Sequence, residues 1–511
     1  MTDTFYTDVM IIGSRILYRG VENGQRVRRR IDYSPSLFVS SKEQTEFKTI
    51  HGEHVAPVTP GNIRDCRDFV EKYKDVSNFK IYGNTKYEYS FLFDNFKDDV
   101  KWNLKHIRIA NLDIEVESDD GFPEPGSAAK AITAITVKYS NGKFIAFGCG
   151  DFTTTRTDIM YHRCTDEIDL IKKFLAVWSA DYPDIITGWN VKLFDIPYLV
   201  NRITNILGEE YAKKLSPWGI ISERKVHMGI GRKLQAFKLA GISTLDYMDL
   251  YVKFAPEGKS QESYKLDNIC HVELDERKLS YDEYGNLFTL YKENFQLFME
   301  YNIRDTELID KLDSKLKLIE LALTLAYDSK TVYDDVFMQT RMWEQIIHCY
   351  LMRRGIIMPP AVTHSKDKSF DGAYVKDPLI GMHSWIGSFD LTSLYPSLIL
   401  QYNISPETLI QPDRYSREMR ELADNASVNT FLNGQVDTTI LKKNNITMTP
   451  NGQFFRKDAE GFMPAITRTM FDDRQRYKKE MIKAQKELEL EYDSEKRDEI
   501  ENRISRFKNL Q

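Results

Sequence analysis

The first 107 residues alternate short apolar runs with turns, as in FYTDVMIIG and PSLFVSS. That period of two predicts strands. One amphipathic segment, IRDCRDFVEKY at 63–73, predicts a helix among them. From Ile107 the pattern shifts to near-continuous apolar runs: IRIANLDIEVES, AITAITVKYS and GKFIAFG. DEIDLIKKFLAVWSADY then carries apolar residues at helical spacing, and DIITGW reads as a short strand. Three strands, a helix and a strand predict an α/β core. Residues 223–240, ERKVHMGIGRKLQAFKLA, place Gly229 and Gly231 between alternating segments and predict a β-hairpin. Helical spacing holds over 289–330 and 339–356, the latter closed by Gly355 and Pro359–Pro360. Strand patterns return in FDGAYV and SWIGSFDLTSLYPSLI, and 411–460 is polar with short strand candidates. Pro464–Gln511 predicts a charged helical hairpin broken near Tyr492–Ser494.

Length and composition change this picture little. A chain of 511 residues implies about three or four domains. The hydrophobic fraction of 42% suits ordinary cores, and a net charge of −6 does not single out a nucleic-acid binder. The cysteines at 66, 149, 164, 270 and 349 form no CxxC, which argues against zinc or a disulfide framework and for a reducing compartment. The start is a strand pattern rather than a secretory signal, and no run approaches the roughly 20 apolar residues of a membrane span. A soluble, cytoplasmic α/β protein of several domains is expected.

Candidate chemistry begins with Asp113-Ile114-Glu115. Residues i and i+2 of a strand share a face, so both carboxylates point together. They repel unless a cation sits between them. Alone, the pair also fits an acidic edge strand. The second element is TGWN followed by FDIPY, a glycine turn leading into a helix that carries Asp195. The third is Tyr301-Asn302-Ile303-Arg304-Asp305. On a helix, i and i+4 share a face, so the Tyr301 phenol can orient water while Asp305 holds metal. Together the elements predict oxygen ligands Asp113, Glu115, Asp195 and Asp305 for two Mg²⁺ ions, or Mn²⁺, about 4 Å apart, hydrolysing a phosphodiester.

The series NLDIEVES, TGWNVKLFDIPYLVNRI and YNIRDTEL resembles the three exonuclease motifs of proofreading B-family DNA polymerases, in the tyrosine variant of the third. DGFPEP, LDYMDLYVKF and SYKLD resemble the T-even-type phage members. The resemblance implies that Phe122 stacks on the terminal base and that the 223–240 hairpin helps move the primer strand. SFDLTSLYPS resembles the family's motif A, which implies a metal-binding Asp390. It also implies nucleotide contacts from Leu391, Ser393, Leu394 and Tyr395, with Tyr395 under the sugar. FDGAYVKDP resembles the family's link between its nuclease and polymerase parts. In the helix after Pro464, Arg474 and Lys478 share a face and would clamp the triphosphate.

The implied fold is α/β and multidomain. An N-terminal domain (1–107) is followed by an RNase H-like 3′→5′ exonuclease (108–318). A return to the N-terminal domain (319–361) precedes part of a palm (362–459) and part of the helical fingers (460–511). No second fingers helix with an NSxYG-type end and no YGDTDS-type palm motif follows Asp390, and no thumb. One carboxylate does not build a two-metal transferase site. Residues 495–511 also lack a helix stop signal. The expectation is therefore the N-terminal part of a replicative polymerase. Primer–template DNA and dNTP are the implied substrates, and a second polypeptide would complete the enzyme, with clamp or replisome contacts besides. The competing readings are a stand-alone exonuclease with a dead polymerase remnant and a non-catalytic replisome-binding module. The intact ligand set speaks against the module. Intact Asp390 and Tyr395 speak against the remnant.

Overall fold

The computed structural model describes residues 4–77, 79–118, 121, 123–228, 232–255, 261–359, 376–391 and 393–510. Phe122, the hairpin tip at 229–231 and most of FDGAYVKDP lie outside these residues.

The chain opens with a three-stranded antiparallel meander, Phe5–Ile12, Arg15–Glu22 and Gln25–Asp32. A five-stranded sheet follows, ordered Ile356–Ile357, Phe47–Thr49, His54–Val58, Leu37–Ser40, Ile81–Tyr82. Its first strand comes from far downstream and pairs parallel with Phe47–Thr49. The predicted helix at Ile63–Tyr73 forms behind a capping box in which Asn62 and Asp65 satisfy each other's backbone N–H groups.

The central sheet has six strands. Its order is Ile159–Arg163, Phe144–Gly148, Ile132–Tyr139, Ile109–Val116, Ile185–Thr187, Ser243–Thr244. Ile109–Val116 runs antiparallel to Ile132–Tyr139 and parallel to Ile185–Thr187. Alternation decides which way its side chains face. Ala110, Leu112, Ile114 and Val116 enter one apolar core with Leu170, Phe174, Trp178 and Tyr198. Each such large side chain contributes about 1.5–3 kcal/mol by leaving water. Asn111, Asp113 and Glu115 take the opposite face, where the helix Phe295–Leu316 lies across the sheet.

Asp184 ties this sheet to the meander. It is 2% exposed, pairs with Arg19 at 3.0 Å and Arg26 at 3.1 Å, and accepts the Arg108 N–H at 2.9 Å. Such a full set of partners offsets the cost of taking a carboxylate out of water.

Several elements differ from expectation. The 289–330 pattern resolves into three helices, Leu287–Glu293, Phe295–Leu316 and Leu318–Ser329. The strand Ile159–Arg163 and the helices Tyr247–Phe254 and Leu266–Leu274 were not legible in the pattern. SWIGSFDLTSLYPSLI was expected to open as a strand. Residues 376–391 are instead irregular and exposed, and Leu394–Tyr402 is a helix. Among the described residues no strand pairs with 376–391, and an isolated strand leaves its N–H and C=O groups unpaired. The charged helical hairpin forms as predicted, Phe462–Leu490 and Ser494–Asn509. Among the described residues no helix is long and apolar enough to cross a membrane.

Candidate active site

Three elements build the site. The strand Ile109–Val116 presents Asp113 and Glu115 on its helix-facing side. The helix Phe295–Leu316 presents Tyr301 and Asp305 one turn apart. Carboxylate oxygens of Asp113, Glu115 and Asp305 all lie within 4.8 Å of one another. Asp195, the first residue of the helix Asp195–Leu207, is 3% exposed. Its Oδ1 accepts the Ile114 N–H at 3.0 Å, which sets it against the same strand. It stands beside the trio rather than within it.

The turn before Asp195 has a physical reason for its sequence. A Cβ at Gly188 would meet the Leu112 carbonyl at 2.6 Å, so only glycine lets that loop lie on the strand. Asn190 adopts a left-handed φ of 63°. Buried Asp246 holds this turn, accepting the N–H groups of Asn190 at 3.1 Å and Lys192 at 2.9 Å. Sequence reasoning did not single out Asp246, although it sits in LDYMDLYVKF.

Lys278 was also missed. Its ammonium lies 2.5 Å from Asp305 Oδ2 and donates to the Tyr301 hydroxyl at 2.8 Å. Asn302, between the two predicted residues, donates its Nδ2 to Asp113 Oδ2 at 2.6 Å. The i, i+3 relation of Asn302 to Asp305 was the available signal. No local spacing points to Lys278.

The electrostatics describe a site that takes cations. Burial pushes the Asp113 carboxyl well above its usual range, and Glu115, Asp305 and Asp195 push it further. Burial and then Asp305 raise Glu115 to about 8. Asp195 is raised to about 7 by burial, against the lowering effect of the Ile114 N–H. Burial also raises Asp305, while Lys278 opposes it. Burial works against the charge on Lys278, yet Asp305 and Tyr301 lift its pKa above the ordinary lysine value. Tyr301 is raised by burial and by Asp305. Asp305 Oδ1 is buried with no hydrogen-bond partner. Clustered carboxylates with an unused buried oxygen are what hard cations bind. The residues present therefore fit divalent metal.

Of the second predicted constellation, the structure brings together Ser393 and Arg474 among the described residues. Asp390, Leu391, Leu394 and Tyr395 are exposed, Tyr395 at 71%. Arg474 reaches Ser393, donating to its Oγ at 3.1 Å. Lys478 is exposed on the same helix.

Residues 58–269 match the description "DNA polymerase family B, exonuclease domain", and residues 330–496 match "DNA polymerase family B". The chain belongs to DNA polymerase family B. The first match covers Asp113, Glu115 and Asp195. The second covers Asp390, Arg474 and Lys478. Lys278, Tyr301 and Asp305 fall between the two. This family B chain is 33% identical to a DNA-directed DNA polymerase of Escherichia phage RB69, over 95% of its own length and 55% of that protein's. It is 30% identical to the DNA-directed DNA polymerase of Enterobacteria phage T4, over 94% of its length and 54% of the relative's. A DNA polymerase catalytic subunit of Elephantid herpesvirus 1 is 27% identical over 64% of this chain. The chain thus spans about half the length of the phage relatives it matches.

Proposed function

We propose that this family B chain carries a 3′→5′ exonuclease, the proofreading part of a replicative DNA polymerase. The convergence of Asp113, Glu115 and Asp305 within 4.8 Å, beside Tyr301, carries the reading. The sheet order supports an RNase H-like core over 108–318, with Ile109–Val116, Ile132–Tyr139 and Phe144–Gly148 successively antiparallel and Ile185–Thr187 and Ser243–Thr244 added in parallel on the other side. In this reading 1–107 and 319–361 form one N-terminal domain, 362–459 part of a palm and 460–511 part of the fingers.

Asp113, Glu115, Asp195 and Asp305 would hold two Mg²⁺ or Mn²⁺ ions, which when bound supply an activated water and a charge that steadies the leaving 3′-oxygen. The chain's own groups do the rest. The Tyr301 hydroxyl orients the attacking water. Lys278 pairs with Asp305, opposing the effect of burial on it, and fixes the phenol. Ile114 N–H turns Asp195 toward the strand. Phe122 stacks on the terminal base.

Asp390, Leu391, Ser393, Leu394, Tyr395, Arg474 and Lys478 make up part of a dNTP site. Incorporation on primer–template DNA takes the remaining palm, fingers and thumb, supplied by further sequence or by a second polypeptide, with clamp and replisome proteins as further partners in the host cytoplasm. The exposed apolar side chains Leu379, Ile380, Met382, Trp385, Ile386 and Phe389 support a palm whose covering strands come from that further sequence or second polypeptide.

The test is digestion of 5′-labelled single-stranded DNA by the 511-residue chain. Stepwise shortening from the 3′ end in Mg²⁺, stopped by chelator, is expected. Intact DNA at all metal concentrations would refute the nuclease.

A further inference from the structure

We propose that Asn302 is a positioning residue for the carboxylate pair, with Thr136 anchoring the far end of its amide. The inference rests on the nuclease reading above and goes past its ligand set. Asp113 and Thr136 are cross-strand partners in the central sheet. Asn302 drops onto that pair from the overlying helix. Asn302 and Thr136 are both fully buried. The amide nitrogen donates to Asp113 Oδ2 at 2.6 Å, beside Glu115 on the same strand face. The amide oxygen accepts the Thr136 hydroxyl.

The chemistry of the amide explains the arrangement. Two carboxylates on one strand face repel, and each free rotamer would swing apart. A neutral N–H donor holds them without adding positive charge that would compete with a cation. Lysine at this place would fill the site, and aspartate would add a third repulsion. An amide has a second problem. Its oxygen and nitrogen are nearly the same size, so rotation by half a turn would set a carbonyl against a carboxylate. The carboxylate, which only accepts, excludes that rotamer, and the Thr136 hydroxyl seats the carbonyl end that then faces it. The backbone adds a further anchor: Asn111, two residues before Asp113, donates its Nδ2 to the Thr306 carbonyl at 2.7 Å, fixing helix and strand in register. Asn302 touches no reacting atom. It acts by keeping the carboxylates poised for metal, as hydrogen-bonded partners of ligands do elsewhere.

The experiment measures Mn²⁺ affinity of the 511-residue chain by electron paramagnetic resonance, with no DNA present, beside digestion of single-stranded DNA. Asn302→Leu should weaken Mn²⁺ binding by about tenfold or more. Thr136→Val should weaken it by a smaller factor, and Thr136→Ser, which restores the hydroxyl, should bind as the unaltered chain does. Digestion should recover at high Mn²⁺ in Thr136→Val, as a loss of affinity requires. Asn302→Leu and Thr136→Val both binding Mn²⁺ as tightly as the unaltered chain would overturn the inference and leave the nuclease standing. If Asn302→Leu unfolds, the Thr136→Val and Thr136→Ser pair decides alone: equal affinities overturn, a loss restored by serine supports. An unaltered chain that neither binds Mn²⁺ nor digests DNA would overturn the nuclease reading and this inference with it.

Discussion

The carboxylates of the nuclease cluster and Asp390 carry the same chemistry in opposite settings. Asp113, Glu115 and Asp305 are brought together by a strand and a helix that pack on one another, with Asp195 alongside. Asp390 stands exposed at the end of an irregular segment, with exposed Phe389 and Leu391 on either side. What separates them is scaffolding. The nuclease strand has neighbours on both sides to satisfy its backbone and an apolar face to fix its orientation. The Asp390 segment has neither among the described residues, and a metal ligand without a fixed backbone is not preorganised.

The contrast can be broken most severely at the carboxylates themselves. Asp113→Ala combined with Glu115→Ala should lower digestion of single-stranded DNA by about a thousandfold or more, since metal-held charge is worth several kcal/mol at the transition state. Melting temperature should hold or rise, because two repelling, half-buried acids are removed. Near-normal digestion by the double variant would place the nuclease elsewhere.

The next effect lies on the helix Gln339–Met352, which packs Leu351 against Phe462 and Ile466 of the helix Phe462–Leu490 and so joins the two regions. His348 on it is 3% exposed, with both ring nitrogens unpartnered and Phe93 edge-on at 5.6 Å. Burial lowers its pKa from 6.5 to about 4. The unfolded imidazole therefore takes up a proton that the folded one refuses between these values. Stability should fall as pH drops through this window, by about 3 kcal/mol in all. His348→Leu should remove that part of the slope in denaturant unfolding followed from pH 7 to 4. An unchanged slope would show the site to be hydrated.

A smaller effect is expected at Lys278. Lys278→Ala leaves Asp305 without its cation and Tyr301 without its donor. Loss of such charged hydrogen bonds costs about 2 kcal/mol, or roughly thirtyfold in digestion rate at fixed Mg²⁺. A rate within a factor of about two would make Lys278 a bystander. The smallest effect sharpens the contrast from the other side: Asp390→Ala should leave digestion unchanged, and any large loss would mean that the two regions share one site.

The sequence made some of this legible. Alternation in IANLDIEV placed Asp113 and Glu115 on one face, and the i, i+4 spacing placed Tyr301 with Asp305. Asp195 followed from a glycine turn whose tightness Gly188 explains. Lys278 was hidden because its partner Tyr301 lies 23 residues away, across a turn and another helix that no periodicity encodes. Asn302 was hidden between two residues that drew attention first. The strand expected at SWIGSFDL failed for a different reason. Alternation reports what a segment would bury, and a strand forms only where a neighbour receives its hydrogen bonds.

The most direct measurement uses one tube: 5′-labelled primer annealed to template, Mg²⁺, all four dNTPs and the 511-residue chain. The proposed nuclease beside the proposed partial dNTP site predicts primers that shorten from the 3′ end and none that lengthen. Primers extended beyond their starting length would contradict it.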